Sequence, residues 1–267
     1  MTTRILSGTV LIVLAVAAVW YAPAWLFLLV AELLVVLACR EFIALARASG
    51  LALPAIASTL AAALACASFA RAPFGGSVSI PLELVLMTAL PAIGALSLSS
   101  WRGGNDAVAS VAAAFVPLLY VGLPLGAMLA IRERGGPATL FLLMLTVMVS
   151  DSAQYFVGRA FGRRPLAPRV SPKKTVEGAV GGFLFGAALL AVVGAWWLPS
   201  VPAPLRALLG VTVVALGIAG DLFESMLKRS AGVKDSSALI PGHGGVLDRI
   251  DALLFAAPVY YVVLNHV

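Results

Sequence analysis

An all-α, polytopic membrane helix bundle is the fold class this chain predicts, and three observations carry it. The 267 residues are 61% hydrophobic and 11% charged, with a mean hydropathy of +1.04, more apolar than a soluble fold can hide in its interior. The apolar residues fall into nine stretches whose lengths approach the ~20 residues a helix needs to cross a bilayer. The cations fall between those stretches in a pattern that alternates from side to side.

The stretches are 5–20, 23–39, 51–70, 81–99, 107–131, 138–157, 178–198, 204–220 and 251–265. The first follows Arg4 and resembles a secretory leader in its small residues near Ala17, but a first span explains the run equally well and makes the charges alternate. The second carries Glu32 near its middle, a costly place for a carboxyl group. It reads as a residue facing the bundle interior in preference to a direct role. The third to fifth stretches are Ala-, Leu- and Val-rich helix with little motif content. The sixth contains Ser150, Asp151, Ser152 and Gln154, which need partners or a water-filled cavity at membrane depth. In the seventh, Gly178, Gly182 and Gly186 form a ladder that lets helices approach closely, within one chain or in a homodimer through glycine-rich helices. The eighth is followed directly by Asp221, and the last is the shortest. A single domain over 1–267 is the economical reading, with 1–136 poor in motifs and 137–267 carrying the chemistry.

If the N-terminus is cytoplasmic, that side receives 14 of the 18 cations, leaving Arg71, Arg132, Arg134 and Arg206 outside. All five tryptophans (20, 25, 101, 196 and 197) fall near span ends, as an aromatic belt requires. The expected location is the cell membrane, multi-pass, with the active face towards the cytoplasm. The net charge of +6 lies in loops, with no separate basic domain. It points to membrane lipids and phosphorylated substrates, not to nucleic acid. Cys39 and Cys66 have no metal-site spacing and read as apolar fillers.

The chemistry concentrates at 225–251, where four cations, three carboxylates and a histidine interrupt an apolar chain. Upstream, Asp221, Glu224, Ser225 and Lys228 are spaced to share one helical face, and a carboxyl with a hydroxyl one turn away suits Mg²⁺. Lys228, Arg229 and Lys234 would meet phosphates. Pro241 to Gly245 cannot be regular helix, and His243 there is as readily structural as substrate-contacting. Asp248, Arg249 and Asp251 open the last span, where acids either favour a helix start or complete a metal site with Asp221. In 158–177, Lys173 and Lys174 can hold phosphates by charge, while prolines 165, 168 and 172 keep the segment extended.

The run Ser225, Lys228, Arg229, Lys234, Asp235, Ser237, Ile240, Pro241, His243, Gly244, Gly245, Asp248, Arg249 and Asp251 resembles the signature of the phosphatidate cytidylyltransferases, or CDP-diacylglycerol synthases. Ser171 to Gly178 and Asp151 to Gly162 resemble two further stretches of that family. Val176 stands where Trp is usual, and Gln154 replaces a small residue. Together these segments cover about the last 115 residues.

The resemblance implies that CTP and phosphatidic acid give CDP-diacylglycerol and pyrophosphate with Mg²⁺, to which a second, monovalent cation is an open addition. The lipid's phosphate monoester is already anionic near neutral pH, so its attack on CTP needs positioning and charge neutralisation more than a base. On this reading Asp221, Asp248 and Asp251 hold the metal, with Asp151 a weaker fourth. Lys228 joins those acids as a catalytic residue. Lys173, Lys174, Ser225, Arg229, Lys234 and Arg249 serve the substrates, and His243, Gly244 and Gly245 shape the nucleotide pocket. A CTP-dependent enzyme acting on another lipid, such as a polyprenol kinase, would reuse a similar layout. A transporter would spread its charges along several spans.

Overall fold

The computed structural model describes residues 2–70 and 80–266, so Arg71 of the expected outer side lies outside the described residues. Among the described residues each of the nine apolar stretches is a helix: α1 Thr2–Tyr21, α2 Ala24–Ala48, α3 Ala55–Ala67 and α4 Leu82–Ser100, then α5 Ala107–Gly135 and α6 Pro137–Phe161. After a hairpin come α7 Val176–Trp197, α8 Ala203–Ser230 and α9 Leu247–Asn265. Five of them, α4 to α8, are long and apolar enough to cross a membrane. The apolar windows undershoot the helices where polar residues continue them: α2 runs on through Arg40 to Ala48, and α8 continues ten residues past Gly220.

The protein is not entirely helical. Pro165–Ala167 (β1) and Ser171–Thr175 (β2) pair antiparallel, with Pro165 opposite Thr175 and Ala167 opposite Ser171. The prolines that keep this segment out of helix leave it extended, and two extended arms joined by a tight turn pair. Within α5, Pro117–Gly122 forms a π turn, the local widening expected where proline removes a ladder hydrogen bond.

The glycine ladder is used inside the chain. A Cβ at Gly182 would meet Gln154 Cγ at 2.6 Å and Ser150 Oγ at 2.9 Å, and one at Gly186 would meet Val214 at 2.7 Å. The ladder thus sets α7 against α6 and α8, and these glycines are not left facing outward for a homodimer. In α2, Glu32 faces Cys66, and both cysteines fill the core as buried free thiols.

The helices run between two ends. At one, Ser7 of α1 meets the 241–243 turn and the end of α2 meets 236–247. At the other, Arg132 donates to the carbonyls of Val19, at 2.7 Å, and Ala22. There too Arg134 donates to Tyr261 Oη at 2.7 Å, and Trp20 packs edge-on to Trp197 and Phe141. The hairpin and the 231–246 connection share the first end, so the charged segments, distant in sequence, are brought together there.

Candidate active site

The spacing Asp221, Glu224, Ser225, Lys228 places these residues on one face of α8, and the helix continues through Ser230 to hold them there. Glu224 is fully buried and Lys228 nearly so. The Lys228 ammonium sits between the carboxyl groups of Glu224 and Asp248, which offsets the cost of burying it. Lys228, expected to meet phosphates, is thus a strut joining α8 to α9, its ammonium turned to two carboxyl groups. Ser225 Oγ donates to Asp221 Oδ1 at 3.4 Å.

The connection from α8 to α9 folds back on itself. Pro241 and Gly242 occupy the centre of a turn closed by His243 N–H to Ile240 C=O at 2.9 Å, and Ile240 N–H donates to Gly244 C=O at 2.8 Å. Gly242 and Gly244 have φ of 77° and 78°, where a side chain is strained. A Cβ on Gly244 would also strike Asp248 Oδ2 at 2.6 Å. His243 is turned towards α1, its Nδ1 2.9 Å from Ser7 Oγ.

Asp248 is the hub of this turn. Its Oδ2 accepts from Ser236 N–H at 2.9 Å, Ser236 Oγ at 2.7 Å and Gly245 N–H at 2.7 Å, while Oδ1 faces Lys228. It stands ahead of the apolar stretch that begins at 251. Burial pushes its acidity the unfavourable way, but Lys228, the Gly245 N–H and Ser236 outweigh it and hold the carboxyl at about 2, against an ordinary 3.8. Oδ2 is taken up by three protein donors, whereas Oδ1 meets Lys228 alone and keeps acceptor capacity for a further partner.

Asp221 and Asp251 are brought together because α8 and α9 touch at Gly220, where a Cβ would strike the Asp251 carbonyl at 2.5 Å. Their charges and that of Asp151 repel one another. Asp251 Oδ1 accepts from Ala252 N–H at 2.8 Å, and Asp151 Oδ1 from Gln154 Nε2 at 3.0 Å. Gln154 therefore supplies a partner for the intramembrane acid, which the usual small residue would not. Among the described residues no group of three His, Cys, Asp or Glu is placed to hold a metal alone. The donor chemistry still fits Mg²⁺, which takes one or two carboxylates and fills its octahedron with waters and phosphate oxygens.

From the hairpin, Lys174 pairs with Asp221, tying β2 to α8. Thr175 caps α7 by accepting from Gly178 N–H at 3.1 Å, and Glu177 accepts from the N–H groups of Arg163 and Arg164 at 3.0 and 3.2 Å. Lys173, Lys234 and Arg249 are exposed around this core, and Arg229 donates to the carbonyls of Val170 and Val233. Val176, where Trp is usual, is exposed.

Sequence reasoning missed Glu41. Next to Arg40 at the end of an apolar run, it reads as an ordinary charged helix end, yet it is buried and accepts from Ser237 Oγ, Val246 N–H and Leu247 N–H. Ser236, equally unremarked, bridges it to Asp248. Residue type alone gave no signal for either.

An apolar helical bundle with its acids and lysines gathered at one end is a membrane protein whose site suits phosphate chemistry. The chain belongs to the cytidylyltransferase family, whose model matches residues 2–267, and members of this family transfer a nucleotidyl group. It is 40% identical over 190 residues to a phosphatidate cytidylyltransferase of Thermotoga maritima, covering 69% of each chain. A Haemophilus influenzae protein of the same name is 50% identical over 129 residues, 45% of this chain and 44% of the relative. One from Synechocystis is 32% identical over 295 residues, 98% and 96% of the two chains.

Proposed function

We propose that this protein is a phosphatidate cytidylyltransferase: a phosphate oxygen of phosphatidic acid bonds to the α-phosphorus of CTP, the bond to the β-phosphate bridge breaks, and pyrophosphate leaves with CDP-diacylglycerol formed. The observation that carries this reading is the convergence of two Lys–Asp pairs, Lys174–Asp221 and Lys228–Asp248, with Asp251 at one end of an apolar bundle. A soluble nucleotide can reach that end while a lipid stays in the bilayer.

Asp221 and Asp251 would hold Mg²⁺, with Asp151 beside them. Bound there, the ion would neutralise phosphate oxygens as charge builds on the leaving pyrophosphate. Lys174, partly exposed beside Asp221, is placed to take a nucleotide phosphate. Lys173, Lys234 and Arg249 offer further charge for CTP and the lipid phosphate. Asp248 and Lys228 keep α8 and α9 in register so that Asp221 and Asp251 stay opposed. No residue has to remove a proton from a phosphate that is already an anion.

All nine helices crossing the bilayer as a single domain, with the active end towards the cytoplasm of the cell membrane, is the topology we favour. The charge distribution supports it, as does the alternation of helix ends between the two poles of the bundle. The purified protein in detergent with CTP, phosphatidic acid and Mg²⁺ should release pyrophosphate and a CDP-lipid. Release of CDP with a newly phosphorylated lipid alcohol, or no product from CTP, would overturn the reading.

A further inference from the structure

Glu41 lies near the C-terminal end of α2, in the half of the chain with no catalytic motif, and is only 6% exposed. Its Oε1 accepts from Ser237 Oγ at 2.7 Å and Val246 N–H at 3.0 Å, and its Oε2 from Leu247 N–H at 2.8 Å. Ser236 Oγ stands 3.0 Å from Oε2. The partners are 195 to 206 residues away in sequence. Val246 and Leu247 open α9, and their amides belong to the first-turn N–H groups that have no carbonyl within the helix. Both residues are buried, so water cannot serve those amides, and a helix start left unpaired in such a place is unfavourable. A carboxyl group from another helix takes the part a local cap normally plays.

The same carboxyl reaches Asp248 through Ser236, whose N–H and Oγ both meet Asp248 Oδ2. The hydroxyl lies within reach of Glu41 and Asp248 together, and its single proton can serve one at a time. Beyond Asp248 the chain of contacts continues to Lys228. Gly245 records the same constraint from the other side, since a Cβ there would run into Ser236 Oγ and both Glu41 oxygens. The glycine at 245 is thus demanded by Glu41 as much as by any ligand.

We infer that Glu41 is a positioning residue of the transferase site, a carboxyl clamp from the N-terminal helices that holds the 236–247 turn and the start of α9 and so fixes Asp248 and Lys228. This rests on the proposed function for the reaction affected, but the clamp itself can be read without turnover. In full-length protein, Glu41→Gln keeps the size while turning an amide NH₂ towards donors on at least one side. Backbone amides of 236–247 should then exchange with deuterium about tenfold faster or more, with the α6 and α7 amides unchanged. The kcat per folded molecule should fall roughly 10- to 100-fold, the scale of a small misplacement of reacting groups, while KM for CTP and phosphatidic acid stays within about threefold. Ser237→Ala, which removes one donor and spares the fold, should show the same pattern more weakly, and the two changes together should cost less than the product of their separate effects. Unchanged exchange in 236–247 would overturn the inference. So would a lower melting temperature with wild-type kcat per folded molecule, which is what a purely structural glutamate gives. Should the wild type prove inactive on these substrates, the proposed function fails and the exchange measurement still decides the clamp.

Discussion

Replacing Asp248 by Asn removes one negative charge from a place where four donors converge. Lys228 faces Oδ1, and Ser236 N–H, Ser236 Oγ and Gly245 N–H face Oδ2. Whichever way the Asn amide turns, its NH₂ confronts either an ammonium or two N–H groups. Breaking a buried ion pair by removing one partner costs about 3–5 kcal/mol. Lys228 keeps Glu224, which favours the lower figure, ~3 kcal/mol. At roughly 2–4 °C per kcal/mol for a chain of this order of size, the melting temperature in detergent should fall by about 6–12 °C. Asp251→Asn is the informative contrast: Asp251 accepts from its neighbour Ala252 N–H and is repelled by Asp221, so neutralising it should leave the melting temperature unchanged or slightly raised. Its turnover should still drop about a hundredfold, the scale expected when charge stabilisation of the transition state is lost. Thermal unfolding and pyrophosphate release measured on both variants separate the roles. A D248N protein as stable as wild type would refute the assignment of Asp248 as the hub of the turn, and an unstable D251N would refute the account of Asp251.

Because the folded Asp248 titrates at about 2, below its ordinary 3.8, its stabilisation is present above roughly pH 4 and is lost as pH falls towards 2. D248N should lack that acid limb in melting temperature against pH. His243→Gln should leave the shape of the pH–rate profile intact, since its ring is turned to Ser7. Loss of the acidic limb together with a fall in kcat of about a hundredfold would identify it as a base. A cysteine at Pro168 should react with an impermeant thiol reagent only once the cytoplasmic face is opened, and one at Ser200 from outside, against buried native Cys39 and Cys66. Labelling of both from one side would refute the topology. Gly182→Ala should lower stability by about 1–3 kcal/mol through overpacking on Gln154 and Ser150. A change in oligomer size without loss of stability would show the ladder facing a second chain.

The helical membrane class, the nine helical stretches, the extended hairpin segment and the family are all legible in the order of residues, because hydropathy, proline placement and short motifs are local properties of the chain. Asp221, Ser225 and Lys228 fall on one face by their spacing, since 3.6-residue periodicity needs only a continuing helix. What each charge faces depends instead on how the helices pack. The motif places Lys228 among its cations without showing that Glu224 and Asp248 enclose it. Nothing near Glu41 announces that Ser236, 195 residues on, will meet it, or that His243 will turn to Ser7 across 236 residues. Those pairings arise when packed helices bring chain ends to a common pole, where buried polar groups must find partners because neither lipid nor core supplies any.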